Sequence, residues 1–255
     1  MKELLLGCFA FVAVVASPAS AADLSPTPAP AYTKVPVLAP PYDWTGFYIG
    51  GHATYGWSHG EGQTTNTANG QLFAPGSSDT SAFRGGGQIG FDYMTSSRIV
   101  VGVVADVNSG AHNTKTNIAP SETSTGESMT DVGGTLRARA GYAFDTLLLY
   151  GTGGWGWSRG SSTRTQVVGT VGNATPGTVE TASTNNSGWR VGAGFDYAFA
   201  RNWDVFAEYK YTRSQDITIT FPIAQRSTTS HSTSNAIEAG VNWRFNWGTP
   251  VRAGY

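Results

Sequence analysis

Cysteine is almost missing: the 255 residues contain one, Cys8. A disulfide scaffold or a thiolate metal centre needs several, so both are excluded. Charge is scarce as well. Asp, Glu, Lys and Arg make up 13% of the chain, where a globular domain carries about a quarter. The net charge is −1, without the basic excess that nucleic-acid binding requires, and no nucleic-acid partner is assigned. No apolar run reaches the roughly 20 residues of a membrane-spanning helix. The histidines His52, His59, His112 and His231 lack metal-ligand spacing, so no metal, cofactor or catalytic residue is assigned and the chain is read as no enzyme.

What the chain has instead is glycine, 33 residues of it, with Ser, Thr and Asn filling the stretches between short apolar runs. The start reads as an export signal over 1–21. Lys2 supplies the positive charge, Leu4 to Val15 the apolar stretch, and Ala19-Ser20-Ala21 a small-residue site cut after Ala21. Residues 22–43, with Pro26, Pro28, Pro30, Pro36, Pro40 and Pro41, read as an extended periplasmic linker.

The middle of the chain, Thr135 to Trp157, carries the pattern that decides the fold. Leu136, Ala138, Ala140, Tyr142 and Phe144 share one face of a strand, and Arg137, Arg139 and Gly141 the other. After a tight connection at Asp145-Thr146, Leu147, Leu149, Trp155 and Trp157 alternate with Tyr150, Thr152, Gly154 and Gly156. One face is aliphatic and aromatic; the other sets two arginines one pleat apart among glycines. That partition suits a barrel turned inside out, apolar towards lipid and polar towards its lumen.

The same period of two recurs from Trp44 to Phe245, in runs about as long as a tilted strand needs to cross a bilayer. Gly90-Phe91-Asp92-Tyr93, Gly141-Tyr142-Ala143-Phe144, Gly194-Phe195-Asp196-Tyr197 and Gly240-Val241-Asn242-Trp243 form a weak repeat that counts four hairpins, hence eight strands. Short connections at Thr95–Ser97, Asp145-Thr146 and Ala200–Asn202 alternate with long polar ones near 61–80, 110–130, 160–186 and 214–233. Short periplasmic turns and long extracellular loops are the habit of outer-membrane barrels. Aromatic residues gather at both strand ends, Trp44, Phe47, Tyr93, Phe144, Trp203 and Phe245 at the lower, Tyr55, Trp57, Trp155, Trp157 and Tyr211 at the upper. They predict two interfacial belts. A soluble lipocalin-like barrel is the competing architecture, and it explains neither the belts nor the alternating connections.

Tyr42-Asp43-Trp44-Thr45-Gly46-Phe47-Tyr48-Ile49-Gly50-Gly51, Arg137-Ala138-Arg139-Ala140-Gly141-Tyr142-Ala143-Phe144-Asp145, Tyr150-Gly151-Thr152-Gly153-Gly154, Glu208-Tyr209 and Asn242-Trp243-Arg244-Phe245 resemble small outer-membrane proteins of α-proteobacteria. These are the outer-membrane immunogenic or porin-family proteins, with an OmpA-like barrel. The resemblance implies an all-β, eight-stranded antiparallel up-and-down transmembrane barrel over 44–245, followed by a tail over 246–255. It implies outer-membrane lipid and lipopolysaccharide as surroundings, and the barrel-assembly machinery as a partner during insertion. Glu238, Gly240, Trp243 and Phe245 resemble the terminal signal read by that machinery; such signals usually end a chain, so Phe245 and Tyr255 compete for the role of terminal aromatic.

Two glycine patterns, Gly85/Gly87/Gly90 and Gly151/Gly153/Gly156, match a dinucleotide fingerprint in spacing, but they lie inside strands with no helix to follow. A lipid-modifying enzyme would need Ser58, His59 and Glu61 to cooperate, and adjacent strand residues face opposite ways. A haemin-binding receptor is the other alternative of a different class. The most informative set is charged and faces the lumen: Arg84, Arg137, Arg139, Arg190, Lys210 and Arg244 against Asp92, Asp106, Asp196, Asp204, Glu208 and Glu238. Eight strands enclose just enough space for side chains to fill. The set predicts either a closed polar core in a surface-antigen barrel with a structural role, or a narrow ion path in a small porin.

Overall fold

The computed structural model describes residues 42–73, 75–110, 114–117 and 124–245. The export signal with Ala21, residues 22–41 of the linker, His112 and the tail with Tyr255 lie outside the described residues. The elements are β1 (Gly46–Asn66), β2 (Gly76–Met94), β3 (Ile99–Ser109), β4 (Thr114–Asn117), β5 (Ser124–Phe144), β6 (Leu147–Gln166), β7 (Val179–Ala200), β8 (Trp203–Ser214), β9 (Ile217–Phe221) and β10 (Arg226–Phe245). Eight of them form one antiparallel ring in the order β1-β2-β3-β5-β6-β7-β8-β10, and β10 closes it by pairing with β1 from Phe47↔Phe245 to Asn66↔Arg226. The short β4 and β9 pair with the outer parts of β5 and β10.

Closure leaves the ring of eight strands without a free edge across the apolar band, which is the condition for crossing hydrocarbon with sheet. The alternation of the central hairpin is realised: Leu136 is 65% exposed on the outside and its neighbour Arg137 is 1% exposed within. Phe47, Ile49, Tyr55 and Trp57 on β1 also face out. The ten residue steps from Phe47 to Trp57 rise roughly 33 Å along the strand, or roughly 25 Å at a tilt of about 40°, the height of a lipid-facing band.

The long connections differ from the sequence expectation. Most of 61–80 and 160–186 is strand, since β1 runs on to Asn66, β2 starts at Gly76, β6 runs to Gln166 and β7 starts at Val179. The sheet therefore climbs well beyond the apolar band. These segments carry little apolar surface, but threonine is β-branched and its hydroxyl can bond across strands. Thr64–Thr228 at 2.9 Å, Thr163–Thr181 at 3.1 Å and Thr218–Thr229 at 2.9 Å are such rungs.

The inner end of the lumen has an apolar floor. Trp44, Val100, Ala143, Leu148, Tyr150 and Ala198 pack together, with Tyr42 and Met94 against them. Trp44 corrects the sequence assignment: it is fully buried in this floor and not part of the lower lipid-facing belt. Its Nε1 donates to the Asp145 carbonyl at 2.9 Å, and the Tyr42 amide donates to Asp145 Oδ1 at 2.9 Å. Asp145 itself turns the β5–β6 hairpin at φ +57°, a conformation that aspartate tolerates better than most residues.

Candidate functional site

The site is the lumen, and its contents follow from parity along each strand. Inward positions alternate between long polar side chains and glycines that leave room for them. An ideal Cβ on Gly90 would fall 2.3 Å from the Tyr48 ring, one on Gly192 2.5 Å from Glu208 Oε1, and one on Gly240 2.6 Å from the Phe206 ring. The glycines that resemble a dinucleotide motif thus sit in strands β2 and β6, with Gly90 making room for a neighbour's ring.

The charged side chains occupy three tiers. In the inner tier, just above the floor, Arg244 binds Asp204 (2.7 Å), Asp92 (2.9 Å) and Asp196 (3.1 Å), drawn from β8, β2 and β7. Arg139 also pairs with Asp196, donates to the Tyr48 hydroxyl at 3.3 Å, and stacks on the Tyr150 ring with its guanidinium carbon 3.9 Å from the centroid. Gln88 and Asn242 extend the tier, Gln88 donating to Asn242 at 2.7 Å and Asn242 to Asp204 at 2.8 Å. In the middle tier Arg137 bridges Glu208 and Asp106, the latter at 3.1 Å, while Thr152 donates to Glu208 at 2.6 Å and Thr135 donates to Asp106. Lys210 pairs with Glu238, which also accepts from Thr54 at 2.7 Å and lies 3.5 Å from His52 Nε2.

The outer tier departs from the balanced network that the sequence predicts. Arg84 and Arg190 do face the lumen, half-buried, but neither has a carboxylate partner among the described residues. Arg190 donates its Nε to Thr212 at 2.8 Å. Charge is therefore sorted along the axis. The inner tier sets two arginines against three aspartates, the middle tier Arg137 and Lys210 against Asp106, Glu208 and Glu238, and the outer tier holds the two remaining cations.

Tyr48, Tyr150, Gln88, Asn242 and Thr135 join the charged set in the lumen, which the sequence does not mark them to do. Their inward parity was the available signal, and it names a face without naming a contact. Of the assembly-signal set, Glu238 and Gly240 face the lumen, whereas Trp243 and Phe245 face outward with ring centroids 4.3 Å apart. The relay imagined for a hydrolase is not assembled: Ser58 lines the lumen, while His59 is exposed and hydrogen-bonds Asp79 at 2.7 Å. No group of His, Cys, Asp and Glu among the described residues is arranged to hold a metal ion.

The model of the outer membrane protein beta-barrel domain family matches residues 9–245. A 31 kDa outer-membrane immunogenic protein of Brucella melitensis is 33% identical over 220 residues, covering 83% of this chain and 87% of that protein. A 22 kDa outer membrane protein of Rhizobium leguminosarum is 28% identical over 211 residues, covering 82% of this chain and 81% of its own. Among solved structures, the outer membrane protein OprG from Pseudomonas aeruginosa superposes with a TM-score of 0.49 at 15% identity, over 80% of this chain and 98% of that one. With a closed antiparallel ring, an apolar exterior, the match to the family model and the Brucella and Rhizobium relatives, the chain belongs to the outer membrane protein beta-barrel domain family and resides in the cell outer membrane.

Proposed function

We propose that this protein is a structural and surface-display barrel of the outer membrane, without catalytic activity, whose lumen is stoppered towards the periplasm. One observation carries this reading: Arg244 ties aspartates of three strands together directly above the fully buried Trp44. The stopper spans the lumen with ion pairs inside a ring whose interior eight strands already make narrow. Ions crossing it would have to separate buried pairs, each costing several kcal/mol to desolvate alone. The Thr- and Ser-rich outer strands then offer a stiff scaffold on which short loops stand as surface antigen, in keeping with the name of the Brucella relative. Lipopolysaccharide surrounds the outer rim, and Trp243 and Phe245 serve the assembly machinery as the final outward aromatics of β10.

Single-channel recording of the refolded chain in a planar bilayer tests this, with an unheated gel to show the fast-migrating folded band. Folded protein that stays silent is expected. Discrete steps that change in Glu208→Ala or Arg137→Ala would overturn the stopper and support a small porin, because both residues would then line its path.

A further inference from the structure

Above the stopper lies a cavity of about 110 Å³, whose lining includes Thr54, Thr212, the cations Arg84, Arg190 and Lys210, and one carboxylate, Glu238. The cations there are not equivalent. Lys210 is committed to Glu238, whereas among the described residues Arg84 has no ion-pair partner and Arg190 bonds the Thr212 hydroxyl, through Nε, and no carboxylate. The nearby carboxylates already have cationic partners: Oε2 of Glu238 takes Lys210 and the Thr54 hydroxyl, leaving Oε1 without a hydrogen bond, and Asp106 takes Arg137 and Thr135. Two guanidinium groups thus face one small polar space whose one carboxylate among the described lining residues, Glu238, is already paired with Lys210, so that lining keeps a net positive charge. In a narrow, low-dielectric channel their field is focused, not dispersed as on an open surface.

We propose that this cavity binds a small tetrahedral oxyanion, phosphate or sulfate, either free or as the terminal group of a small solute. Guanidinium is suited to such a ligand, presenting two parallel N–H donors to two oxygens. Lysine would act only as a point charge. The threonine hydroxyls and the Asn108 amide supply further donors around it. The volume accommodates several waters, and so a ligand of about five heavy atoms that displaces them. The axial sorting of charge agrees with this: an anion on the outer tier completes the two positive charges, while the carboxylate-rich tiers below it oppose deeper entry. The inference is independent of whether the stopper conducts.

Calorimetric titration of the refolded full-length barrel in micelles, at constant ionic strength, tests it with inorganic phosphate as the probe. Saturable one-site binding is expected, weakened about tenfold or more by Arg84→Gln and by Arg190→Gln, and lost in the double variant. Arg213→Gln, which removes an exposed cation outside the lumen, leaves it unchanged. The gel shift of the folded band confirms folding for each variant. A second titration with glucose 6-phosphate separates the two sources: equal binding with the same arginine dependence means a site for terminal phosphate groups, and binding of inorganic phosphate alone means a site for the free ion. Absence of saturable binding to the folded wild type, or equal affinity in the double variant, overturns the proposal.

Discussion

The guanidinium carbon of Arg244 stands 4.6 Å from the centre of the Trp44 ring, and its Nη1 donates to the Trp44 carbonyl at 3.2 Å. The ion tier and the apolar floor are therefore one object, stacked ring to cation. Arg244→Met removes the cation but keeps the volume, leaving Asp92 and Asp196 to Arg139 and Asp204 to the Asn242 amide. Breaking a buried pair in this way costs about 3–5 kcal/mol. Trp44→Ala keeps the ion pairs and opens a void in the floor, with a similar cost of about 3–5 kcal/mol. Urea unfolding in micelles, followed by the gel shift, is expected to move to lower denaturant for both. The two changes share a contact, so the double variant loses less than the sum. A fully additive double variant would show that the floor and the ion tier act separately.

Gly90 and Tyr48 make a sharper test of lumen packing. A methyl at position 90 would meet the Tyr48 ring at 2.3 Å, and that ring cannot easily swing away because Arg139 bonds its hydroxyl and Arg244 lies over it, 4.7 Å from the centroid. Overpacking of this kind costs about 1–3 kcal/mol. Gly90→Ala is expected to destabilise the barrel, and Gly90→Ala with Tyr48→Leu to recover part of the loss in the same unfolding assay. No recovery would place the strain elsewhere.

How much of this was legible in sequence depends on the physics behind each feature. The outward face was readable because lipid demands apolar side chains at every second position, and Leu136 against Arg137 states that demand in two letters. The lumen charges were readable as a set for the same reason. Their pairing was not: Arg84 and Arg190 obey the same parity as Arg137, and only strand tilt and side-chain reach decide that one finds carboxylates and the others do not. Trp44 misled because an aromatic residue at a strand end suits both an interfacial belt and a plug. The Ser/Thr-rich stretches looked like loops because their composition is polar, while the cross-strand hydroxyl rungs that keep them in sheet depend on register, which composition does not carry.

His59 lies above the aromatic belt, where its Nδ1 meets Asp79 at 2.7 Å and its Nε2 is 3.7 Å from Glu61. The hydrogen bond and charge of Asp79, helped by Glu61, raise its pKa above the ordinary histidine value. The imidazolium is therefore favoured in the folded protein. Any stabilisation from this pair is fully present below the unfolded histidine pKa and fades as pH climbs through the raised folded value. Proton NMR titration of the His59 ring is expected to give a midpoint above 6.5, the ordinary histidine value, falling back towards it in Asp79→Asn. An unchanged midpoint in that variant would remove Asp79 as the cause.

The extracellular tips are tied together by one carboxylate. Glu180, at the base of β7, accepts the amide N–H of Ile223 at 2.7 Å and of Ala224 at 3.0 Å, in the turn before β10. That turn also receives the Asn173 amide on the Ile223 carbonyl, and the Thr67 amide on the Gln225 carbonyl, each at 2.8 Å. Three connections thus meet at residues 223–225, and Glu180 is the charged acceptor among the links. Hydrogen bonds to a charged group contribute about 1.5–3 kcal/mol, so Glu180→Ala is expected to speed amide exchange at Ile223 and Ala224 by roughly ten- to a hundredfold. Exchange in the membrane-embedded part of β7, from Val191 to Tyr197, stays unchanged. Glu180→Gln keeps an oxygen acceptor without the charge and falls between the two. If the tips present a shaped surface to antibodies, one raised against the folded protein loses affinity for Glu180→Ala in the same order. Equal protection at Ile223 in all three proteins would mean that the turn holds its shape without the carboxylate.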